Sequence, residues 1–333
     1  MNSPSSALPP FLEPLAHNPS LQESDALPHH ARFAHARSGQ HAHTIWWPAA
    51  APSPTPPSTI LLFIPGNPGL IGFYIPFLSA LWEQCSSSNF AILAHSHLGH
   101  TPGIGDDHRR PLPSAIALTS QVEAILEVVA AIRSAFGPSP KIVFAAHSVG
   151  SWLVLQALKN LPSSEISGTF LLFPTICNIG NTPNGRRLSW LFGPPLPRVI
   201  SSLSALIRWL PLRALSVLFP SWPLAQVSVL RTLLHSPPAI FSALTMADDE
   251  MKIIRDLDVG LLKEHHDRLY YYYAQYDDWV GEERDAVLEA LNDAESPVKI
   301  VHGHQDIPHA FCINHGQELA SQCIEWLRSG GLI

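Results

Sequence analysis

Short continuous apolar runs recur along the chain at residues 59–64, 90–95, 141–146, 168–173 and 298–302. They are too short for helices and rich in β-branched and aromatic residues, so they predict strands buried on both faces. A sixth run, 269–275, carries four tyrosines, Tyr270 to Tyr273, whose rings suit a pleated surface. Between the runs the apolar spacing turns helical: at 73–85, at 114–136 (Ile116, Val122, Ile125, Val129, Ile132), after Ser148 (Trp152, Leu153, Leu155, Leu158), at 282–294 and at 313–327. Strand alternating with helix predicts an α/β fold, a mostly parallel sheet with helices on both faces.

Two stretches depart from this rhythm. In residues 1–28, Pro9, Pro10, Pro14, Pro19 and Pro28 interrupt every apolar cluster, which predicts a flexible Pro-rich arm able to dock locally through Phe11 and Leu12. Residues 29–47 then read as an edge hairpin turning at Ser38-Gly39, followed by a Pro/Ala/Ser loop over 48–58. The second departure begins in the strand near residue 168. From Ile166 to Ala247 there is no Asp, Glu or Lys, only Arg186, Arg187, Arg198, Arg208, Arg213 and Arg231. That segment carries +6, leaving −13 for the rest of a chain whose net charge is −7. Within it Val199, Leu203, Leu206, Ile207 and Leu210 share one helical face, with Trp209 near its rim. Pro220 and Pro223 break the 17 uncharged residues between Arg213 and Arg231, too short a run to span a bilayer. The pattern predicts an apolar lid over 176–262, lying on a lipid surface through residues 188–245, with a hairpin as one arrangement of it. The acids return at Asp248, and 248–262 reads as one helix. The core is accordingly divided into a first part, 29–175, and a second, 263–333.

Composition narrows the function. The chain is 46% hydrophobic over 333 residues, enough for one large core, and only 14% charged, so little of its surface is ionic. Its acidic balance and the lack of a basic, aromatic-laced stripe set nucleic-acid binding aside. Cys85, Cys177, Cys312 and Cys323 are dispersed without C-x-x-C pairing, which indicates neither a zinc site nor a disulfide framework and fits a reducing compartment. The first thirty residues lack a basic segment followed by an apolar run, so no secretory leader is expected. His17, His29, His30, His35, His41 and His43 crowd the first strands, but no carboxylate or cysteine stands at ligand spacing. They read as polar strand-edge surface rather than a metal site. No metal, cofactor or obligate protein partner is implied.

The chemistry is carried by Ala146-His147-Ser148-Val149-Gly150, a strand, a sharp turn and a helix. Small residues on either side of a serine suit a nucleophile elbow, which lifts the hydroxyl to a histidine able to take its proton. A second loop, Pro65-Gly66-Asn67-Pro68-Gly69, follows the strand at 59–64. An oxyanion hole needs two backbone N–H donors, one after the nucleophile and one from such a loop. Val149 supplies the first; the prolines have no N–H, so the second is Asn67, favoured, or Gly66. A carboxylate at the end of the 269–275 strand, Asp277, precedes His309 in the loop beyond the 298–302 strand. The order Ser148, Asp277, His309 is that of a triad on an α/β-hydrolase sheet. Asp278 and Asp306 remain alternative acids. His302, His304 and His315 lie near the same strand, but His309 has the loop reach; His147 is expected to point away.

Together Ile64-Pro65-Gly66-Asn67-Pro68-Gly69 with Phe73-Tyr74, Ala146-His147-Ser148-Val149-Gly150, Asp277-Asp278-Trp279-Val280 and Pro308-His309-Ala310-Phe311 resemble the lipid-droplet-associated hydrolase family. Ala146 stands where that family usually has glycine. The resemblance spans about 59–327. It implies an α/β-hydrolase attached to lipid droplets and endoplasmic reticulum from the cytosolic side, acting on a sterol ester or other neutral lipid ester. Two alternatives stand beside it: a non-catalytic droplet protein that influences lipid storage through its insert, and a soluble small-ester hydrolase with a self-packed lid.

Overall fold

Each apolar run sends alternate side chains to opposite faces of one nine-stranded sheet, and both faces are covered. The computed structural model describes residues 8–15, 27–49, 56–85, 89–104, 109–207, 210–292 and 298–333. His17, Arg208, Trp209, most of the expected arm, residues 50–55 of the expected loop and 293–294 of the expected helix lie outside them. In chain order the elements are β1 (Leu12–Pro14), β2 (His29–Ala34), β3 (His41–Trp47), β4 (Thr59–Ile64), α1 (Ile75–Gln84), β5 (Phe90–His95), α2 (Leu118–Phe136), β6 (Lys141–His147) and α3 (Val149–Leu158). Then come β7 (Ile166–Leu172), α4 (Pro183–Phe192), α5 (Leu196–Ile207), α6 (Leu212–Leu218), α7 (Leu224–Leu234), α8 (Pro237–Ile253), α9 (Val259–Glu264), β8 (Leu269–Tyr273), α10 (Glu283–Ala290), β9 (Lys299–His302) and α11 (Gly316–Ser329).

The sheet order is β1-β2-β3-β5-β4-β6-β7-β8-β9. β1, β2 and β3 are antiparallel, and β3 meets β5 antiparallel. From β5 onward every pair is parallel. Ile60, Leu62 and Ile64 of β4, with Ile142, Phe144 and Ala146 of β6, point to the face covered by α2, α3 and α10. Leu61, Phe63, Val143 and Ala145 point to the face covered by α1 and α11. The tyrosine run divides the same way: Tyr271 and Tyr273 to one core, Tyr270 and Tyr272 to the other. This two-sided burial is why these strands read as continuous rather than alternating apolar runs. α2 and the turn before it, Pro113–Phe136, have the length and apolarity of a membrane span, but half of that stretch is buried against the core.

Two expectations change at this level. Leu12, near the end of the proline-rich stretch, is buried and pairs with Phe33, so residues 12–14 form an edge strand of the sheet. The region expected as one helix over 248–262 is two. α8 starts earlier, at Pro237, where Ser236 accepts from the Ala239 N–H and proline occupies the first turn. It ends at Ile253, and Asp258 caps a new helix, α9, by accepting from the Leu261 N–H at 3.0 Å.

The first-strand histidines are not plain surface either. His35 is buried, its Nδ1 2.9 Å from Glu127 Oε2 and its Nε2 3.0 Å from His95 Nε2; His30 stacks on His43. Burial lowers the His35 pKa, against the opposing pull of Glu127. Among the described residues no three His, Cys, Asp or Glu side chains gather as a metal site.

Candidate active site

Parallel strands end on one edge, and the loops leaving β4, β6, β8 and β9 there converge. β6 runs into α3 through Ser148, whose φ of 52° and ψ of −125° hold a non-glycine residue in a sparsely populated conformation. The strain is held by the surrounding backbone: the Ser148 N–H donates to Leu172 O at 3.0 Å, and Ser148 O accepts from the Ser151 N–H at 2.9 Å. The small residues around the serine have specific neighbours. A Cβ on Gly150 would lie 2.6 Å from both Ile64 O and Pro65 O, and one on Gly66 would lie 2.7 Å from His147 Nδ1 and 2.9 Å from Ser148 Cβ. The loop after β4 and the elbow after β6 thus touch through two glycines. Ala146 is fully buried in the α2/α3 core, where its methyl is accommodated. Gly150→Ala forces a methyl against two backbone carbonyls that cannot rotate away. It is expected to cost about 3 kcal/mol, read as a lowered denaturation midpoint in urea; an unchanged midpoint would refute this account of the contact.

His309 Nε2 lies 3.0 Å from Ser148 Oγ, and its Nδ1 lies 2.7 Å from Asp277 Oδ2. The carboxylate only accepts, so Nδ1 carries the imidazole proton and Nε2 is the acceptor for the serine hydroxyl. Asp277 Oδ1 is occupied by the N–H groups of Trp279, at 2.9 Å, and Val280, at 3.2 Å. The two alternative acids are elsewhere: Asp278 is exposed, and Asp306 is exposed beside His304, 3.2 Å away.

Of the oxyanion candidates, the Gly66 N–H already donates to Tyr74 Oη at 3.1 Å, which corrects its place among the possible donors. Among the described residues no acceptor faces the N–H of Asn67 or of Val149. Asn67 is anchored by its side chain, which donates to Ala243 O at 2.9 Å and to Glu250 Oε1 at 2.8 Å. The same loop is held from below by His100, whose Nδ1 donates to Pro68 O at 2.7 Å.

No local pattern points to His147 as part of the site. Its ring sits 5.0 Å from that of His309, and its Nε2 donates to His309 O at 2.9 Å. Its Nδ1 accepts from Tyr74 Oη at 2.8 Å. A continuous chain therefore runs from the Gly66 N–H through Tyr74 and His147 to the His309 backbone, tying the β4 loop to the β9 loop. Burial and the neighbouring His309 keep the His147 pKa well below the usual histidine range, so the ring stays neutral and can make both contacts.

Ser148, His309 and Asn67 open onto a cavity of ≈ 500 Å³ walled by α5, α7 and α8, including Ile200, Leu203, Leu233 and Leu244. Besides Ser148, His309 and Asn67, the polar side chains among its described lining are Ser204, Glu250 and the Trp279 indole. An apolar cavity of this size can hold a molecule with a long hydrocarbon part beside the Ser148 hydroxyl.

A family model described as lipid-droplet associated hydrolase matches residues 57–312. The chain is 29% identical to the lipid droplet-associated hydrolase of Homo sapiens over 295 residues, covering 82% of this chain and 85% of the relative. It is 30% identical to that of Pongo abelii over the same shares. Among solved structures it resembles an epoxide hydrolase from Vigna radiata, with a TM-score of 0.62, 12% identity, and coverage of 91% of this chain and 98% of that one. That likeness is one of fold, the α/β-hydrolase fold.

Proposed function

The chain belongs to the lipid-droplet-associated hydrolase family, and from that premise we propose that it hydrolyses neutral lipid esters, sterol esters or others, through an acyl-enzyme at the droplet surface. The observation that carries the reading is the unbroken hydrogen-bonded series Ser148–His309–Asp277 at the mouth of an apolar cavity. Ser148 Oγ attacks the ester carbonyl as His309 Nε2 takes its proton, and the oxyanion is met by the N–H groups of Asn67 and Val149. His309 then protonates the leaving alcohol, and a water repeats the sequence on the acyl-enzyme. Asp277 stabilises the imidazolium without itself taking the proton.

Residues 176–262 act as a lid between the two core parts, 29–175 and 263–333. Its outer surface is the support for contact with lipid: Leu206, Val217 and Leu218 are 73%, 77% and 66% exposed, with Trp190, Val199 and Leu224 also outward. Exposed apolar side chains on arginine-bearing helices suit the boundary between headgroups and acyl chains. The chain then works from the cytosolic side of droplets and the endoplasmic reticulum.

Fluorophosphonate labelling, with and without anionic liposomes or isolated droplets, tests both parts. Labelling confined to Ser148 and strengthened by lipid is the expected result; a folded protein that never labels is a droplet protein without catalysis. Changing Leu206, Val217 and Leu218 together to Gln is expected to cut co-flotation with liposomes at least tenfold, since about 0.8 kcal/mol per buried methylene is lost. Undiminished flotation would reduce the insert to a self-packed lid.

A further inference from the structure

A carboxyl group stands in the cavity wall where the reaction scheme uses none. Glu250, on α8, is only 4% exposed and lines the cavity together with Ser148, His309 and Asn67. Among the described residues no lysine or arginine lines that cavity. Its Oε1 accepts from Asn67 Nδ2 at 2.8 Å, the one hydrogen bond this carboxyl makes among the described residues, and Oε2 is left for the cavity. Satisfying the Asn67 amide would need only an acceptor, which a glutamine supplies without the cost of burying an acid.

We propose that Glu250 is a substrate-binding residue whose Oε2–H donates to a second carbonyl oxygen of the substrate, so that the cavity selects glycerolipid-type esters with neighbouring ester groups over sterol esters. This rests on the function proposed for Ser148. The geometry sets the spacing. With the Asn67 N–H in its proposed role at the reacting carbonyl, the Asn67 side chain, which touches Glu250, sets the second oxygen one residue's reach from the first. Adjacent esters on a polyol present their carbonyls a few bonds apart. A sterol ester has a single carbonyl and an otherwise hydrocarbon alcohol, and offers no such acceptor.

The donor must be a neutral acid, and its surroundings make it one. Burial, reinforced by Asp249, pushes the Glu250 pKa up to about 8 against the opposing hydrogen bond from Asn67. Asp249 is next to it on α8 and accepts from the Leu118 N–H at the start of α2. On the other elements packed against α8, Arg186 and Arg187 of α4, Arg198 of α5, Glu123 of α2 and His235 just after α7 are exposed, and Arg231 of α7 and Glu127 and Arg133 of α2 are half-buried. His309, backed by Asp277, is the titratable group across the cavity. At pH 7 the carboxyl is therefore protonated; above about 8 it ionises and can no longer donate.

The test uses two esters of equal length, ethylene glycol dioctanoate and 2-(octyloxy)ethyl octanoate, which differ by one carbonyl. Per scissile ester, wild type at pH 7 is expected to favour the diester about tenfold in kcat/KM, the worth of one hydrogen bond to a buried donor. That ratio falls toward one as pH rises from 7 to 9 in wild type, stays level in Glu250→Gln, whose amide donates at every pH, and is near one throughout in Glu250→Leu. A ratio near one in wild type with both esters hydrolysed overturns the proposal and leaves the Ser148 reading intact. So does a Glu250→Leu variant that slows both esters equally and keeps the ratio, because Glu250 then only props Asn67. If Glu250→Leu fails to fold, the pH dependence of wild type against Glu250→Gln decides alone. Turnover of neither ester overturns the Ser148 reading and this one with it.

Discussion

Ser148→Ala is expected to lower kcat for a short-chain ester by about 10⁶-fold, equivalent to about 8 kcal/mol of transition-state stabilisation, while leaving thermal stability within about 0.5 kcal/mol of wild type. The asymmetry follows from what the side chain touches. Its hydroxyl has one partner, His309 Nε2, and the elbow is held by backbone bonds to Leu172 and Ser151 that alanine keeps. Alanine inherits the same unfavourable φ, so no strain is released or added. With the nucleophile gone, the Asn67 and Val149 N–H groups and the cavity still bind the ester, which is why a small residual rate is expected rather than none. Paired ester assays and calorimetry on both proteins check this. Turnover within tenfold of wild type would remove Ser148 from the mechanism; a collapsed melting transition would make the rate uninformative, and Ser148→Cys, which keeps a nucleophile, would then replace it.

Much of this fold was legible in the chain because a doubly covered parallel sheet writes its strands as unbroken apolar runs. The runs at Thr59–Ile64 and Lys141–His147 announce both the strands and, at their carboxyl ends, the loops that matter. Gly150 was legible for a physical reason as well: the elbow presses it against the Ile64 and Pro65 carbonyls. What stayed hidden depends on pairings across the chain. Tyr74 meets His147 over 73 positions, Asn67 meets Glu250 over 183, and His35 meets Glu127 over 92. No local spacing encodes such contacts, so His35 read as surface, His147 as pointing away, and Glu250 carried no role within the expected 248–262 helix. α8 begins at Pro237, ahead of the acids at Asp248, because prolines are favoured in a helix's first turn, where their missing N–H leaves no bond unmade.

Asp277 presents the choice that sequence spacing alone left open, and Asp277→Asn resolves it with a loss of about 10⁴-fold in kcat. The Trp279 and Val280 N–H groups donate to Oδ1, so an asparagine at 277 keeps its carbonyl there and presents its amide NH₂ to His309 Nδ1. Nδ1 must then accept, which moves the imidazole proton to Nε2, and Nε2 can no longer take the proton of Ser148. The substitution preserves shape and changes only the tautomer, so binding is expected to survive with KM little altered. Asp278→Asn and Asp306→Asn are expected to stay within about twofold of wild type, as exposed carboxylates that contribute little, the first because only its backbone carbonyl is engaged, by the Asn184 N–H. Steady-state kinetics of the three variants separate the possibilities. A deep loss in Asp278→Asn or Asp306→Asn with Asp277→Asn near wild type would mean that His309 swings to another acid during turnover, and the hydrogen bond seen here would be a resting arrangement.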